Sequence, residues 1–345
     1  MSTNQIMIRC EGLTKIYEEL QALVDLNLQI PAGHVFGYIG HNGAGKTTTI
    51  RILAGLLKPS SGKATIAGVS VLSSREEIKQ LVGYMPDSFG VYDQMRVWEY
   101  LDFFGAAFKI PKKKRRDRID YVLDITEAEY MRDRFVDTLS KGMKQRVGIA
   151  RTLMHDPAVL LLDEPANGLD PQARVEMRIL LRKLAEGGKT VLVSSHILPE
   201  LAQMCDSVGI IHQGHLKAAG SLDKVLAHLN RDRVLELKCL SGIEAAQEML
   251  KADKRVSHLD TTDMYTANTL TFHFGGDDEA LAGLLGALLA GSVQVITLRE
   301  VPLSLEDAYM TISGITADET DDDAVLAAAE REAVAQAATA ATAKN

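Results

Sequence analysis

Gly40-His41-Asn42-Gly43-Ala44-Gly45-Lys46-Thr47 has the spacing G-x-x-x-x-G-K-[ST], and its flanks suit it. The apolar run Val35-Phe36-Gly37-Tyr38-Ile39 precedes it and reads as a buried strand. Behind it, Ile50, Leu53, Ala54 and Leu57 keep helical spacing from Thr48 until Lys58-Pro59 ends the pattern. Strand, glycine loop and helix in that order is the context the motif requires. Glycines tolerate backbone angles that turn successive N–H groups toward one point, and the following helix adds its positive end. A nucleoside triphosphate fits such a loop. Lys46 would reach the β- and γ-phosphates, and the Thr47 hydroxyl would ligate Mg²⁺.

Working outward, Leu26, Leu28 and Ile30 alternate as a strand before the turn Pro31-Ala32-Gly33. Far downstream, a second apolar run from Ala158 to Leu162 ends in Asp163-Glu164-Pro165. Continuous apolar residues followed by acids suit a central parallel strand with chemistry at its C-terminal end. There Asp163 can join the Mg²⁺ shell, and Glu164 can orient or deprotonate a water. Between the two runs, Leu139-Ser140-Lys141-Gly142-Met143-Lys144-Gln145-Arg146 opens a helix with Ser140 as its N-cap. Further on, the strand-like Thr190-Val191-Leu192-Val193 leads into Ser194-Ser195-His196. By itself, a histidine at a strand end is more often structural than catalytic.

Composition bounds the rest. The chain has 345 residues, 46% of them hydrophobic and 24% charged, which is ordinary for a globular protein and suggests two domains or one with an appendage. Its three cysteines, Cys10, Cys205 and Cys239, form no C-x-x-C, so neither a disulfide scaffold nor a zinc ribbon is expected and a reducing cytosol fits. MSTNQIMIRCEG has no basic segment before an apolar one, so no signal peptide is expected. The net charge of −8 argues against a general nucleic-acid binder. Much of it sits in residues 314–345, where seven acids meet two bases and large apolar residues are scarce. That acidic, alanine-rich tail is expected to be solvated or marginally helical.

Together these motifs resemble the ATP-binding subunits of ABC transporters, over roughly Ile6 to Leu222. The glycine loop is similar to the Walker A motif, and Val159 to Glu164 to the Walker B motif with its catalytic glutamate. Leu139 to Met143 resembles the signature loop, with Lys141 and Met143 where the commonest form has Gly and Gln. Asn167-Gly168-Leu169-Asp170 is similar to the D-loop, and His196 falls at the switch histidine. Tyr17 takes the place of the aromatic that stacks on adenine.

The resemblance implies nucleotide contacts from Tyr17, Gly40, His41, Asn42, Gly43, Ala44, Gly45, Lys46, Thr47, Thr48, Ser140, Gly142 and Asp170. It implies catalysis by Glu164 and His196, and Mg²⁺ held by Thr47 and Asp163. Asp87 stands where the family usually has Gln after the strand Leu81 to Pro86. It either joins the Mg²⁺ shell or has lost that contact.

The implied fold is an α/β P-loop ABC ATPase core over residues 1–230, with a helical subdomain at about 88–155. LSKGMKQR, the segment Val82 to Phe104 and the C-terminal extension look most like the ABC-2-type drug and antibiotic exporters. The implied function is ATP binding and hydrolysis by a bacterial-type exporter subunit. It would close as an ATP-sandwiched homodimer, or with a close paralogue, because one chain carries one glycine loop and one signature loop. A separate membrane permease is the implied partner, with the subunit peripheral on the cytoplasmic face of the membrane. The alternatives are a soluble ABC ATPase acting on nucleic acid or ribosomes, and a nucleotide-binding regulator with little turnover. The spacing between Lys46 and Asp163 leaves no room for a long coiled coil, which weighs against the first. The presence of Glu164 and His196 weighs against the second.

Two surface features and the C-terminal region remain. Phe89, Tyr92, Trp98, Tyr100, Phe103 and Phe104 crowd one segment. They divide between a helical core and the groove that, in the family, receives a coupling helix of the membrane subunit, with Tyr92 and Trp98 the better candidates for the interface. Lys112-Lys113-Lys114-Arg115-Arg116 and Arg118 are expected on the first turns of an exposed helix.

From Arg233 on, strand-like and helical runs alternate as β-α-β-β-α-β, the order of a ferredoxin-like α+β domain over 231–313, with residues 314–345 as the tail. Ala280 to Leu298 lacks charge, yet Leu281, Leu284, Leu285, Leu288 and Leu289 form a helical stripe that Gly291-Ser292 ends. Val293 to Leu298 then reads as a strand, so no transmembrane segment is expected. Ser304 to Tyr309 would begin a last helix.

Overall fold

The computed structural model describes residues 5–88, 90, 92, 94–196, 201, 203–222, 224, 225, 233–260 and 268–300. It divides into two compact units, the first ending its main run at Leu222 and the second running from Asp223 to Ile312. The division falls just after a strand that ends at Ser221 and is still paired in the first unit's sheet.

The first unit holds two sheets. A four-stranded antiparallel sheet combines β1 (Ile6–Tyr17), β2 (Leu20–Pro31), β4 (Ser61–Ile66) and β5 (Val69–Ser70) in the order β2-β1-β4-β5. A six-stranded sheet carries β3 (Val35–Ile39), β6 (Val82–Met85), β7 (Val159–Leu162), β8 (Thr190–Ser195), β9 (Ser207–His212) and β10 (His215–Ser221). Its order is β10-β9-β3-β8-β7-β6. All pairings are parallel except the edge hairpin β9–β10.

Every residue of β3, β7 and β8 is buried. Strands covered on both faces need unbroken apolar sequence, which is why these runs do not alternate. Helix α1 (Lys46–Leu53) packs Ile50 and Leu53 into the same core as Leu13, Leu26, Phe36, Leu161 and Leu192. It stops at Leu53, shorter than the spacing through Leu57 suggests, because the chain bonds back through Gly55, a left-handed glycine.

Helices α2 (Arg75–Leu81), α3 (Val97–Ala107), α4 (Lys112–Ile125), α5 (Lys141–Leu153) and α6 (Pro171–Glu186) complete the first unit. Tyr100 is fully buried, whereas Tyr92, Trp98 and Phe103 are exposed; Phe89 lies outside the described residues. The basic run does begin an exposed helix, yet two of its members are structural. Arg115 pairs with Asp102 at 2.7 Å, and Arg118 pairs with Asp156 at 3.0 Å while donating to the Met154 carbonyl.

The second unit strings β11 (Arg233–Ser241), α7 (Ile243–Ala252), β12 (Val256–Asp260), β13 (Thr269–Phe274), α8 (Asp278–Ala290) and β14 (Gln294–Glu300) in that order. The strands form one antiparallel sheet, β12-β13-β11-β14. Leu235, Leu237, Phe272 and Phe274 meet Ala246, Leu250, Leu284 and Leu288 in a separate core. The stripe on α8 is narrower than expected. Leu284 and Leu288 are buried, Leu281 and Leu285 partly, and Leu289 is exposed. Among the described residues, no helix is long and apolar enough to cross a membrane. The helix expected from Ser304 and the acidic tail lie outside the described residues.

Candidate functional site

The site assembles where the parallel strands end. At the end of β3 the glycine loop turns into α1 through Gly45, whose φ of 112° is open to glycine alone at low cost. A Cβ on Gly45 would also lie 2.7 Å from the Ala22 carbonyl, and one on Gly40 2.6 Å from the Ile211 carbonyl. The loop is thus seated directly on backbone, with no room for side chains beneath it. Lys46, 5% exposed, turns back across it and donates to the carbonyls of Gly40 at 2.5 Å and His41 at 3.2 Å.

Strand β7 brings the acids alongside. The Asp163 N–H continues the parallel ladder to the Met85 carbonyl at 2.9 Å. Glu164 then takes a φ of 49°, a left-handed value that a non-glycine residue holds only at a cost. That turn carries its carboxylate to Lys46, with Oε1 3.2 Å from Nζ. The other oxygen, Oε2, lies 2.8 Å from His196 Nδ1, so Nδ1 carries the proton of this contact.

Ser194 holds the turn from β8. Its hydroxyl donates to Asp163 Oδ1 at 2.6 Å and accepts the Glu164 N–H at 3.0 Å. The parallel register, Leu162 opposite Val193, makes this bridge possible. The sequence offers Ser194 only as a neighbour of His196, because its role depends on that register.

Burial sets the electrostatics. It pushes the Lys46 ammonium below its ordinary pKa, while the charges of Glu164 and Asp163 pull it back up. Burial also raises the Asp163 carboxyl, against hydrogen bonds from Ser194 and Thr47 and the nearby Lys46 charge. Carboxylate and hydroxyl oxygens are the donors a small hard cation takes, so the hydrogen-bonded pair Thr47–Asp163 fits Mg²⁺.

Asp87 is exposed and stands two residues beyond the end of β6, the strand beside β7; its charge acts on Tyr84. Among the described residues, no group of three or more His, Cys, Asp or Glu is gathered for a metal. Tyr17 closes β1 partly buried, with the Lys15 ammonium 4.8 Å from its ring centre.

Ser140, Gly142 and Asp170 gather around a different feature, a cavity of about 330 Å³ whose lining includes none of the glycine loop. Ser140 caps α5 by accepting the Met143 N–H at 3.4 Å, and Asp170 caps α6 by accepting the Ala173 N–H at 2.9 Å. Arg146, bonded to Glu176 at 2.7 Å, fixes α5 against α6 beside them.

A glycine loop with a buried lysine, facing two acids at a neighbouring strand end, defines a P-loop nucleoside triphosphatase. Comparison with known proteins gives the particular family. Residues 23–167 match the family model described as ABC transporter. An uncharacterized ABC transporter ATP-binding protein of Synechocystis is 35% identical over 307 residues, covering 86% of this chain and 82% of its own. The bacitracin transport ATP-binding protein of Bacillus licheniformis is 43% identical over 211 residues, covering 61% of this chain and 68% of its own. Among solved structures, a dimeric bacterial ABC transporter cassette matches with a TM-score of 0.56 at 27% identity, over 63% of this chain and 99% of that one. The chain belongs to the ABC transporter ATP-binding proteins, which bind and hydrolyse ATP.

Proposed function

We propose that this ATPase powers an exporter, working as an ATP-sandwiched homodimer against a separate membrane permease on the cytoplasmic face. The observation that carries the reading is the Glu164 carboxylate held between Lys46 and His196 at the end of β7. Similarity to a bacitracin transport protein supports export as the direction, and similarity to a cassette solved as a dimer supports the assembly.

In this reading Lys46 and the amides of Gly43, Ala44 and Gly45 hold the phosphates, as do His41, Asn42, Thr47 and Thr48 around them, while Tyr17 stacks on the base. Mg²⁺, when bound, would neutralise charge on the phosphate oxygens; Thr47 and Asp163 would hold it, with Asp87, two residues beyond the end of β6, as the further candidate. Lys46 must release Glu164 to meet the γ-phosphate. The freed carboxylate then takes a proton from the attacking water, and His196 keeps it aimed. Ser140, Gly142 and Asp170 complete the site of the second copy, where the N-terminus of α5 serves as an anion seat. Exposed Tyr92, Trp98 and Phe103 receive a helix of the permease.

The chain is organised in this proposal as a cassette over 1–230, a ferredoxin-like domain over 231–313 and an acidic tail over 314–345. The similarity over 307 residues exceeds the length of the cassette, which supports a shared role for the second domain, in regulation or dimer support. Truncation after Asn230 then weakens dimerisation or regulation; unchanged ATPase rate, dimerisation and transport would remove that role.

The test of the function is Mg²⁺-dependent ATPase activity with and without membranes carrying the candidate permease. Turnover that rises with the permease supports the coupled subunit. Turnover indifferent to every permease contradicts it.

A further inference from the structure

The hairpin turn after β9 forms the floor of the phosphate loop. Gln213 and Gly214 both have positive φ, 47° and 79°, as a two-residue hairpin turn requires. The Gly214 N–H donates to the Ala44 carbonyl at 3.0 Å, and the Gly214 carbonyl accepts the Val24 N–H at 3.0 Å. The turn is thereby pinned between the loop and β2. Beside it Ile211 lies directly under Gly40.

His212, 8% exposed, is the last residue of β9 before this turn, with its ring edge-on to that of His41, centroids 5.1 Å apart at 65°. His41 is not a passive neighbour. Its carbonyl accepts from both Lys46 Nζ and the Ala44 N–H at 3.2 Å, and its Nδ1–H donates to the Asn42 carbonyl at 2.5 Å.

We propose that His212 is a positioning residue for ATP binding, bracing His41 so that the phosphate loop and Lys46 stand ready before nucleotide arrives. His212 itself need not touch the nucleotide. It acts by keeping the His41 peptide in the orientation that both the lysine and the following amides use. Preformed donors spare the ordering cost of binding, so the brace improves affinity rather than the chemical step.

The test uses the full-length chain and mant-ADP as the binding probe, with steady-state ATPase kinetics beside it. Removing an aromatic contact of this kind by His212→Ala should weaken mant-ADP binding and raise KM roughly three- to tenfold, with kcat within about twofold of the parent. His212→Phe keeps a ring edge and should bind within about twofold of the parent, whereas His212→Asn should resemble His212→Ala. In a His41→Ala background, His212→Ala should add nothing further, because the two act as one unit.

If His212→Ala folds poorly, the Phe and Asn variants decide between ring packing and its absence. Equal loss in Phe and Asn, a fall in kcat at unchanged KM, or additive losses with His41→Ala would overturn the proposal. The inference rests on the loop binding phosphate, which Lys46→Ala tests separately. Unchanged mant-ADP binding in that variant would overturn the loop reading and this one with it.

Discussion

The two sheets that dominate the two units differ in what their strand ends can do. In the first unit β3, β7 and β8 run parallel, so their C-terminal ends lie side by side and the residues just past them meet. Lys46, Asp163, Glu164, Ser194 and His196 come from distant parts of the chain, yet hydrogen bonds and ion pairs join them within a few ångströms. In the second unit neighbouring strands are antiparallel, so each edge of the sheet alternates strand starts with strand ends. Its cross-strand contacts are pairs that tie neighbours together, such as Glu236 with Arg299 and Arg233 with Glu300. Parallel topology concentrates chemistry at one edge, and the antiparallel sheet distributes its polar groups as surface pairing.

Substitutions in each sheet test this difference. The largest effect belongs to Lys46→Ala, which removes the only lysine of the glycine loop and strands Glu164 without its cation. ATPase activity should fall by about two to three orders of magnitude, and retained activity would deny the first sheet its role. Ser194→Ala comes next. Losing the hydroxyl that both donates to Asp163 and accepts from Glu164 frees the strained turn, and kcat should fall roughly tenfold or more. A fall in affinity with kcat unchanged would show that Ser194 serves the loop instead.

In the second unit the effect should be on stability alone. Leu237, on β11, is fully buried in the core that the sheet shares with α7 and α8. Leu237→Ala should destabilise that unit by about 2–5 kcal/mol, measured by urea unfolding, while mant-ADP affinity stays within about twofold. A parallel loss of affinity would couple the two units energetically.

The smallest effect concerns pH. Burial raises the Asp163 carboxyl in the folded state, so ionising it costs stability once the pH exceeds its unfolded value. The cost is complete above the folded pKa and absent below the unfolded one. Asp163→Asn should therefore melt higher than the parent at neutral pH while losing activity, and the gap should narrow on acidification. A gap that widens as pH falls would show that Ser194, Thr47 and Lys46 outweigh burial at this carboxylate.

Much of the first sheet was legible in the sequence because buried parallel strands leave uninterrupted apolar runs. The runs ending at Ile39, Leu162 and Ser195 point to the loop, the acids and His196 without knowledge of strand order. What links those residues was not legible. The bridge through Ser194 depends on Leu162 lying opposite Val193, and the brace from His212 on β9 lying beside β3. Both are long-range pairings on which local periodicity is silent. The second unit reversed the pattern. Its element order followed from the change between two-residue and helical periods, and so did the face of α8, except that the buried stripe is narrower: Leu284 and Leu288 are buried and Leu289 is exposed. The basic run is similar: composition marks six cations, and only the partners Asp102 and Asp156 separate two structural arginines from the exposed lysines.

The central claim is that Glu164, poised between Lys46 and His196, performs the step that cleaves ATP. Its most direct test is single-turnover hydrolysis of ATP by Glu164→Gln beside the parent protein, with nucleotide binding measured on the same samples. Binding should be retained and hydrolysis should be slower by about two orders of magnitude or more. Hydrolysis within about threefold of the parent would contradict it, because a general base contributes far more than that.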